Sequence, residues 1–303
     1  MHVAITGSSG FLGTALTSFL TAGGHEVTRI VRRPPTGSGE IRWDPQAGEL
    51  DPEALRGVDA IVHLAGEGIA ERRWTDAQKR RILESRTTGT TLIARTMAAL
   101  AGDGGQGPRT LVSVSAIGYY GDRGDEVLTT DAGPGSGFLP DVCVAWEAAA
   151  DPARQAGIRV VHPRIGIVQS PDGGALGRSL PLFKLGLGGR FGSGRQYWSW
   201  ITRDDVVGVI HHALVAPDLS GAINATAPNP VTNAEYTRIL GRVLGRPAVL
   251  PIPKAGPAAL LGFELAGDLL FSSARVLPEN VLASGYNFQH PTLEAGLRAT
   301  LGR

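Results

Sequence analysis

Residues 1–13 read MHVAITGSSGFLG, an apolar run that passes directly into glycines at positions 7, 10 and 13. Apolar residues at helical spacing follow over residues 15–20, so the glycines lie where a buried strand is expected to lead into a helix. In such a turn the first glycine permits a tight bend, the second lets a diphosphate approach the backbone, and the third lets the helix pack on the strand. The free N–H groups and dipole of the helix start favour a bound anion. This context predicts a dinucleotide-binding βα unit, with a plain strand–turn–helix start as the alternative.

The end of the second predicted strand, residues 27–31, indicates which dinucleotide is bound. It is followed by Arg32 and Arg33, and no carboxylate stands there. At this place an acidic residue holds the ribose 2′-hydroxyl of NAD, whereas Arg accommodates the 2′-phosphate of NADP. We therefore predict NADP, with NAD less favoured. Arg32 is the preferred phosphate ligand and Arg33 the second candidate, and a solvated basic turn is the alternative. The residues of the glycine turn expected to contact the cofactor are Gly7, Ser9, Gly10, Phe11, Leu12 and Gly13.

Composition narrows the class of partner. The chain has 303 residues, 42% of them hydrophobic, and a net charge of +1, which gives no reason to expect nucleic acid or an anionic membrane. No stretch approaches the roughly 20 apolar residues of a membrane span. Cys143 is the only cysteine, which excludes an internal disulfide, and the N-terminus resembles a core strand more than a signal peptide. We predict a cytoplasmic protein with a small-molecule substrate and no metal, and leave a homodimer open.

Strands and helices alternate through the first half of the chain. Apolar runs at residues 58–66, 110–115 and 158–165 predict buried strands, and Thr75 is the expected N-cap of a long helix. Residues 141–156 are predicted to form a further helix. This alternation is typical of an α/β protein with a Rossmann-type, doubly wound parallel sheet.

The regular alternation of predicted strands and helices ends after residue 165. We predict an NADP-binding Rossmann domain at residues 1–165, to which residues 200–226 return. Residues 166–199 and 227–303 are predicted to form a smaller, mixed C-terminal lobe. Within it, Thr232 to Glu235 has the pattern of a capping box that opens a helix.

Motifs along nearly the whole chain resemble the extended short-chain dehydrogenase/reductase superfamily. Within it, the chain is similar to an atypical epimerase-family branch, which is NAD-dependent epimerase/dehydratase-like and carries a C-terminal domain of unknown function. The motifs are TGSSGFLG at 6–13, HLAGEGIAERRWTDAQK at 63–79, SRTTGT at 85–90, SVSAIGYYGDRG at 113–124, WEAAA at 146–150, RQYWSWITRDDVV at 195–207 and PENVLASGYNFQHPTLEAGL at 278–297.

The resemblance implies roles for residues at the ends of the central strands. Leu64, Ala65 and Gly66 are expected to line the cofactor, because small residues there leave room for the adenosine and its ribose. Ser115 is expected to hydrogen-bond a substrate carbonyl or hydroxyl, and a strand-end serine that satisfies its own backbone is the alternative. Arg86 stands where the superfamily keeps a helix asparagine, and we include it among the cofactor-binding candidates.

The chain departs from the superfamily at its proton relay. Ordinary members use a Tyr-x-x-x-Lys pair, in which the tyrosine transfers the proton and the lysine lowers its pKa. Those positions fall here at Leu139 and Cys143, so the usual relay is absent. Tyr120 is the first substitute candidate for acid/base work, with structural packing as its alternative.

Two further groups near this helix are candidates for the chemistry. Cys143 is expected to form a thiolate if Arg86 lies close, and an inert small hydrophobe is the alternative. Glu147 is a candidate base, or an ion-pair partner of Arg86 or Arg164.

The expected substrate side is a cluster of aromatic and polar residues, which suits a flat or sugar-like ligand with a polar edge. Packing between the two lobes is the alternative for these residues, which are Arg195, Gln196, Tyr197, Trp198 and Trp200. Together the patterns favour an NADP-binding oxidoreductase or epimerase that acts on a small substrate, with nucleotide-linked compounds among the candidates. A non-catalytic NADP(H)-binding module with a redox-sensing or regulatory role is the alternative.

Overall fold

The computed structural model describes residues 1–102, 104 and 106–303. In chain order its strands are β1 (His2–Thr6), β2 (Glu26–Val31), β3 (Glu40–Asp44), β4 (Glu49–Leu50), β5 (Ala60–His63), β6 (Thr110–Ser113), β7 (Ser115–Ala116), β8 (Val127–Leu128), β9 (Arg159–Ile165), β10 (Ile167–Gln169), β11 (Gly189–Phe191), β12 (Tyr197–Trp198), β13 (Trp200–Thr202), β14 (Gly221–Ala225), β15 (Val231–Thr232), β16 (Leu250–Ile252) and β17 (Arg275–Val276).

The helices alternate with these strands. They are α1 (Phe11–Ala22), α2 (Asp76–Gly102), α3 (Phe138–Ala148), α4 (Asp151–Gln155), α5 (Gly174–Lys184), α6 (Arg203–Val215), α7 (Asn233–Leu244), α8 (Ala255–Leu261), α9 (Phe263–Ala266), α10 (Glu279–Ala283) and α11 (Leu293–Leu301). Short 3₁₀ turns lie at Glu53–Leu55 and Ile117–Tyr120, and a π-helical turn lies at Gly267–Phe271.

The main sheet has the strand order β14-β9-β6-β5-β1-β2-β3-β4, and β7 pairs with β9. Its pairs are parallel except for the antiparallel β3–β4 hairpin at one edge. The chain leaves β1 first to one side, to β2, and later returns on the other, to β5. The strand order therefore reverses at β1, which is where ligands bind in open α/β sheets. The Rossmann-type sheet predicted from the sequence is confirmed.

Helices cover both faces of this sheet, which explains why its central strands are apolar on both sides. On one face α1 and α6 pack together through Leu16, Leu20, Val206 and Ile210. On the other face α2 and α4 pack over the sheet, with Met97 in the core. The two cores fix the position of the α1 N-terminus above the carboxyl end of β1.

The second half of the chain divides between the two regions. β14 joins the main sheet beside β9, and α6 lies next to α1. A separate apolar cluster joins α5, α7 and α11. The division of the chain into domains stays our prediction, since these contacts define no unique boundary.

The capping box at the start of α7 is present, as the sequence predicts. The Thr232 hydroxyl accepts a hydrogen bond from the N–H of Glu235, and the Glu235 carboxylate accepts one from the N–H of Thr232. The helix ends at Gly245, whose φ of 64° is left-handed. Local side-chain chemistry thus sets both ends of this helix.

Two segments differ from the sequence expectation. The single helix expected at residues 141–156 is two helices, α3 and α4, because Pro152 has no N–H to continue the first one. The glycine-rich tract at 186–194, which suggests a mobile loop, contains β11, which pairs with β16. Gly189 fits there because a Cβ would lie 1.7 Å from the Leu250 carbonyl oxygen.

Candidate functional site

The glycine turn between β1 and α1 is built around close backbone contacts. Gly7 has a φ of 67°, and a Cβ on it would lie 2.9 Å from the N atom of Ala65. A Cβ on Gly13 would lie only 2.1 Å from the Gly7 carbonyl oxygen. A left-handed φ and such contacts exclude ordinary side chains at these two positions. The turn therefore keeps α1 close to β1 and leaves its start uncovered by side chains.

The first turn of α1 presents backbone donors. Gly10, the residue before the helix, donates to the Gly7 carbonyl and accepts from Thr14. Within the described residues no side chain caps this helix. The N–H groups of residues 11–13 thus lack the partners that a capping side chain supplies, and their aligned dipoles favour an anion. This turn fits the diphosphate of a dinucleotide.

The two arginines after β2 have different partners. Arg33 forms a two-pronged ion pair with Glu40, with Nη1 2.7 Å from Oε2, and Glu40 also accepts from the N–H of Thr36. The Arg33 guanidinium is the main reason that the pKa of Glu40 falls to about 2. Arg32 is exposed and has no hydrogen bond or ion pair within the described part of the chain. Arg32 is therefore the arginine with a free charge for a phosphate.

The loop after β5 forms the second wall of this site. The Thr6 hydroxyl lies 2.7 Å from Nδ1 of His63 and accepts hydrogen bonds from the N–H groups of Leu64 and Ala65. His63 is fully buried, and burial, with a smaller effect of Arg86, lowers its pKa to about 3. His63 is thus neutral at physiological pH and holds the loop against the glycine turn.

Arg86 lies behind this loop. Its Nη1 donates to the carbonyl oxygens of Glu67 and Ile82, both at 3.0 Å, and its Cζ lies 4.9 Å from the centroid of the Trp146 ring. A Cβ on Gly66 would lie 3.5 Å from Cζ of Arg86. Arg86 therefore fixes the backbone at Glu67, in the loop that follows β5.

Ser115 belongs to a buried polar chain. Its hydroxyl donates to Oε1 of Glu147 at 2.7 Å. The Glu147 carboxylate also accepts hydrogen bonds from Nε and Nη2 of Arg164, each at 2.9 Å. The structure thus makes Glu147 the partner of Arg164 and not of Arg86. Ser115 is 3% exposed, so its hydroxyl is both covered and engaged.

Tyr120 extends the same chain away from the surface. It has no exposed surface, its hydroxyl donates to Oδ1 of Asn224 at 2.7 Å, and it accepts from Nη1 of Arg164 at 3.0 Å. Burial raises the pKa of its phenol. These contacts favour the packing alternative for Tyr120 over acid/base work.

Cys143 lies on α3 one turn after Leu139, and both side chains face Gly118. Burial and the nearby Glu147 raise the pKa of the thiol to about 11, although Arg86 acts in the opposite direction. Arg86 lies close, as expected, but its charge does not outweigh burial. This corrects the expectation of a thiolate and favours the inert hydrophobe.

We expect Cys143→Ser to leave the affinity for NADPH within about twofold of the wild type, because a buried neutral thiol acts mainly by packing. In the folded wild type, iodoacetamide should label this cysteine far more slowly than an exposed cysteine at pH 8, since the thiol is protonated and covered. Mass spectrometry measures the labelling, and unfolded protein is the control. Rapid labelling of the folded protein would contradict this assignment.

The aromatic cluster of the expected substrate side is largely buried. Trp198 is 6% exposed, and Trp200 is fully buried with its Nε1 donating to the Asn229 carbonyl. Both belong to the apolar cluster that joins α5, α7 and α11. Their burial favours the packing alternative over ligand contact for these two side chains.

Two other members of that group line a cavity of about 380 Å³. Arg195 and Gln196 line it together with the rings of Phe191 and Phe271. Gln196 is held by hydrogen bonds from its Nε2 to the carbonyls of residues 191 and 270. Tyr197 is outside the lining and lies under Arg275, with Cζ 5.0 Å from its ring centroid. Arg195 is the exposed cation at this cavity.

The sequence motif at 63–79 joins the two halves of the molecule, a role that sequence reasoning missed. Arg73 donates to the carbonyls of residues 259 and 260, and Lys79 forms an ion pair with Glu264. Trp74 packs edge-on against Phe138 at 4.8 Å. No local signal in the sequence pairs these residues, because the partners of Arg73 and Lys79 are more than 180 positions away and Phe138 is also distant from Trp74.

The described residues contain no group of three or more His, Cys, Asp or Glu side chains placed to hold a metal ion. Among them there is also no helix with the length and apolar character needed to cross a membrane.

The sequence matches the NAD dependent epimerase/dehydratase family over residues 3–225 and a domain of unknown function, DUF1731, over residues 252–300. It is 46% identical to an epimerase family protein of Mycobacterium bovis, over 97% of this chain and 96% of that protein. It is 39% identical to the human epimerase family protein SDR39U1, over 98% of this chain and 99% of that protein. The resemblance predicted from the motifs is confirmed.

Solved structures give the same result. Human SDR39U1, crystallised with NADPH, has a TM-score of 0.88 and 37% identity, over 100% of this chain and 99% of that chain. A nucleoside-diphosphate sugar epimerase of Corynebacterium glutamicum has a TM-score of 0.82 and 39% identity, over 100% of this chain and 58% of that one. The Thermus thermophilus UDP-glucose 4-epimerase, solved with NAD, shares the fold at 20% identity, with a TM-score of 0.74 over 100% of this chain and 98% of that chain. Since the family match spans most of its length, the chain belongs to the NAD-dependent epimerase/dehydratase family.

Proposed function

We propose that this protein binds NADPH at the start of α1 and is an NADP-dependent oxidoreductase or epimerase acting on a small substrate, with nucleotide-linked compounds among the candidates. The observation that carries the proposal is the glycine turn, whose helix start is capped by no described side chain, accompanied by Arg32 after β2, which has no partner among the described residues. The human relative crystallised with NADPH supports the choice of cofactor.

The chain's own residues have distinct parts in this proposal. The N–H groups of residues 11–13 bind the diphosphate, and Arg32 binds the 2′-phosphate. The loop at residues 64–66, held by Thr6 and Arg86, lines the adenosine. Arg195, at the mouth of the cavity in the small lobe, attracts an anionic part of the substrate. The nicotinamide, when bound, supplies or accepts a hydride.

A non-catalytic NADPH-binding module is the second candidate, and specific contacts favour it. Leu139 and Cys143 occupy the positions of the usual proton relay, and neither is an ionised group. Ser115 and Tyr120 are buried and already hydrogen-bonded within the protein. Under this alternative, the occupancy of the site reports the NADPH level to a partner.

Turnover separates the two candidates. NADPH-loaded protein is mixed with a panel of ketones and nucleotide sugars, and NADPH absorbance and product stereochemistry are followed. Turnover that Arg195→Ala abolishes, with NADPH affinity unchanged, supports the enzyme. NADPH binding without turnover of any compound in the panel supports the sensing module.

Replacing Arg32 with Asp is expected to weaken NADPH binding about 10–100-fold, because it removes a charge-assisted contact of about 1.5–3 kcal/mol. NADH affinity should change by no more than about twofold, since NADH has no 2′-phosphate. Fluorescence titration with both nucleotides at fixed ionic strength measures the ratio. Arg33→Ala is the matched comparison, because Arg33 is neutralised by Glu40. Equal losses of NADPH and NADH affinity in Arg32→Asp would refute the role of Arg32.

A further inference from the structure

We infer that Arg203 is a ligand of the cofactor diphosphate and that Asp172 competes with the diphosphate for its guanidinium. The inference rests on the proposed function. It adds to the diphosphate site a cation from α6, the helix that packs beside α1. Nothing in the family match or in the relatives' names assigns a role to this residue.

The position of Arg203 follows from the packing of two helices. Arg203 is the first residue of α6, which lies beside α1 on the same face of the main sheet. Its Cζ lies 5.8 Å from the ring centroid of Phe11, the first residue of α1. The guanidinium thus stands next to the helix start whose N–H groups are free. A flexible arginine at this distance reaches an anion bound there.

The Arg203 guanidinium forms an ion pair with Asp172. Nη1 of Arg203 lies 2.7 Å from Oδ2 of Asp172, and the N–H of Asp172 donates to the Ser170 hydroxyl. The turn that carries Asp172 also contacts Phe11, because a Cβ on Gly173 would lie 3.0 Å from Cδ2 of the Phe11 ring. The carboxylate of Asp172 is therefore paired with a cation that lies beside the Phe11 ring at the start of α1.

The Asp172 pair is weak enough to exchange. The two side chains are 31% and 62% exposed, and solvent screens pairs of this kind. Arg203 is the first residue of α6, where the positive end of the helix dipole disfavours a cation. A nearby anion with more negative charge than one carboxylate therefore stabilises the guanidinium more strongly. A diphosphate accepts two parallel N–H bonds from a guanidinium and is already favoured by the start of α1. The exchange from Asp172 to the diphosphate is therefore downhill.

The test is a double-variant titration with NADPH and NADH, read by ligand fluorescence or calorimetry. Arg203→Ala is expected to weaken both nucleotides about tenfold and to the same extent, because both carry the diphosphate. Arg203→Lys should recover only part of this loss, since an ammonium has no two-pronged geometry. Asp172→Asn should tighten both nucleotides about threefold by freeing the guanidinium. Arg203→Ala combined with Asp172→Asn should bind like Arg203→Ala alone.

Arg242→Ala is the matched control, because Arg242 is also an ion-paired surface arginine, on α7. The inference is overturned if Arg203→Ala binds both nucleotides like this control. It is also overturned if only NADPH is weakened, which places Arg203 at the 2′-phosphate. Tightening by Asp172→Asn that persists without Arg203 overturns the competition. A wild type that binds neither nucleotide refutes the proposed function itself, whereas a binding wild type with an unaffected Arg203→Ala refutes only this inference.

Discussion

Replacing Glu147 with Gln is expected to lower the free energy of unfolding by about 3–5 kcal/mol, because a buried ion pair that loses one partner leaves an unpaired charge in the core. Glu147 and Arg164 have side chains only 13% and 5% exposed. Arg164 is further enclosed by Tyr119, whose ring centroid lies 3.4 Å from its Cζ. The amide of Gln keeps one acceptor but turns an N–H₂ group toward a guanidinium N–H. Ser115 loses the carboxylate that accepts its hydroxyl, and Arg164, which also donates to the Tyr120 hydroxyl, loses its counter-charge.

Urea unfolding at neutral pH measures this change through the midpoint and slope of the transition. Glu126→Gln is the control, because Glu126 pairs with Arg123 on the surface and is expected to change stability by less than about 1 kcal/mol. If the single variant fails to fold, the double variant Glu147→Leu with Arg164→Met should fold again, since an apolar pair leaves no buried charge. Equal stability of Glu147→Gln and Glu126→Gln would refute the structural role of this pair.

The nucleotide-binding half of the site could be predicted from the sequence, because its signals are local. The positions of Gly7, Gly10 and Gly13 follow from the spacing of a strand, a turn and a helix. The structure adds why they are glycines, namely the contacts of 2.9 Å and 2.1 Å that a Cβ would make at the first and last. The capping box of α7 is predicted correctly for the same reason: its four residues need no distant partner.

The interior of the site could not be predicted in this way, because side-chain burial depends on distant segments. Tyr120 stands at the end of a strand in the sequence, yet its hydroxyl is held by Asn224, 104 residues away. From the sequence, Trp198 and Trp200 fit a ligand-contact role and a core role equally well. The packing of α7 and α11 over them shows that they belong to the core. Similarly, which of Arg32 and Arg33 is free depends on Glu40 in the neighbouring strand β3.

Replacing Asp205 with Ala is expected to lower the free energy of unfolding by about 3–5 kcal/mol, since buried donors lose a charged acceptor. Asp205 is fully buried on α6. Its Oδ1 accepts from the N–H of Gln289 at 2.8 Å and from the Tyr286 hydroxyl at 3.2 Å. Its Oδ2 accepts from the Thr202 hydroxyl at 2.9 Å and from the N–H of His290 at 3.1 Å. One carboxylate thus fastens the C-terminal segment to the start of α6.

The melting temperature should fall by about 6–20 °C, at roughly 2–4 °C per kcal/mol for a chain of this size class. Asp204→Ala is the matched control: Asp204 is adjacent and exposed, and it makes no hydrogen bond or ion pair within the described residues. Asp205→Asn should recover little of the stability lost in Asp205→Ala. Both oxygens of Asp205 now accept hydrogen bonds, and the N–H₂ group of Asn would instead face those donors.

Hydrogen exchange localises the effect of Asp205→Ala. The backbone N–H groups at 286–290 should exchange faster in this variant, whereas those of β1 and β5 should keep most of their protection. Because Arg203 precedes Asp205 by two residues at the start of α6, loosening this anchor should also reduce cofactor affinity, for NADPH and NADH alike. Unchanged exchange at residues 286–290 would show that the C-terminal segment is held by its apolar contacts through Tyr286 and Phe288 instead.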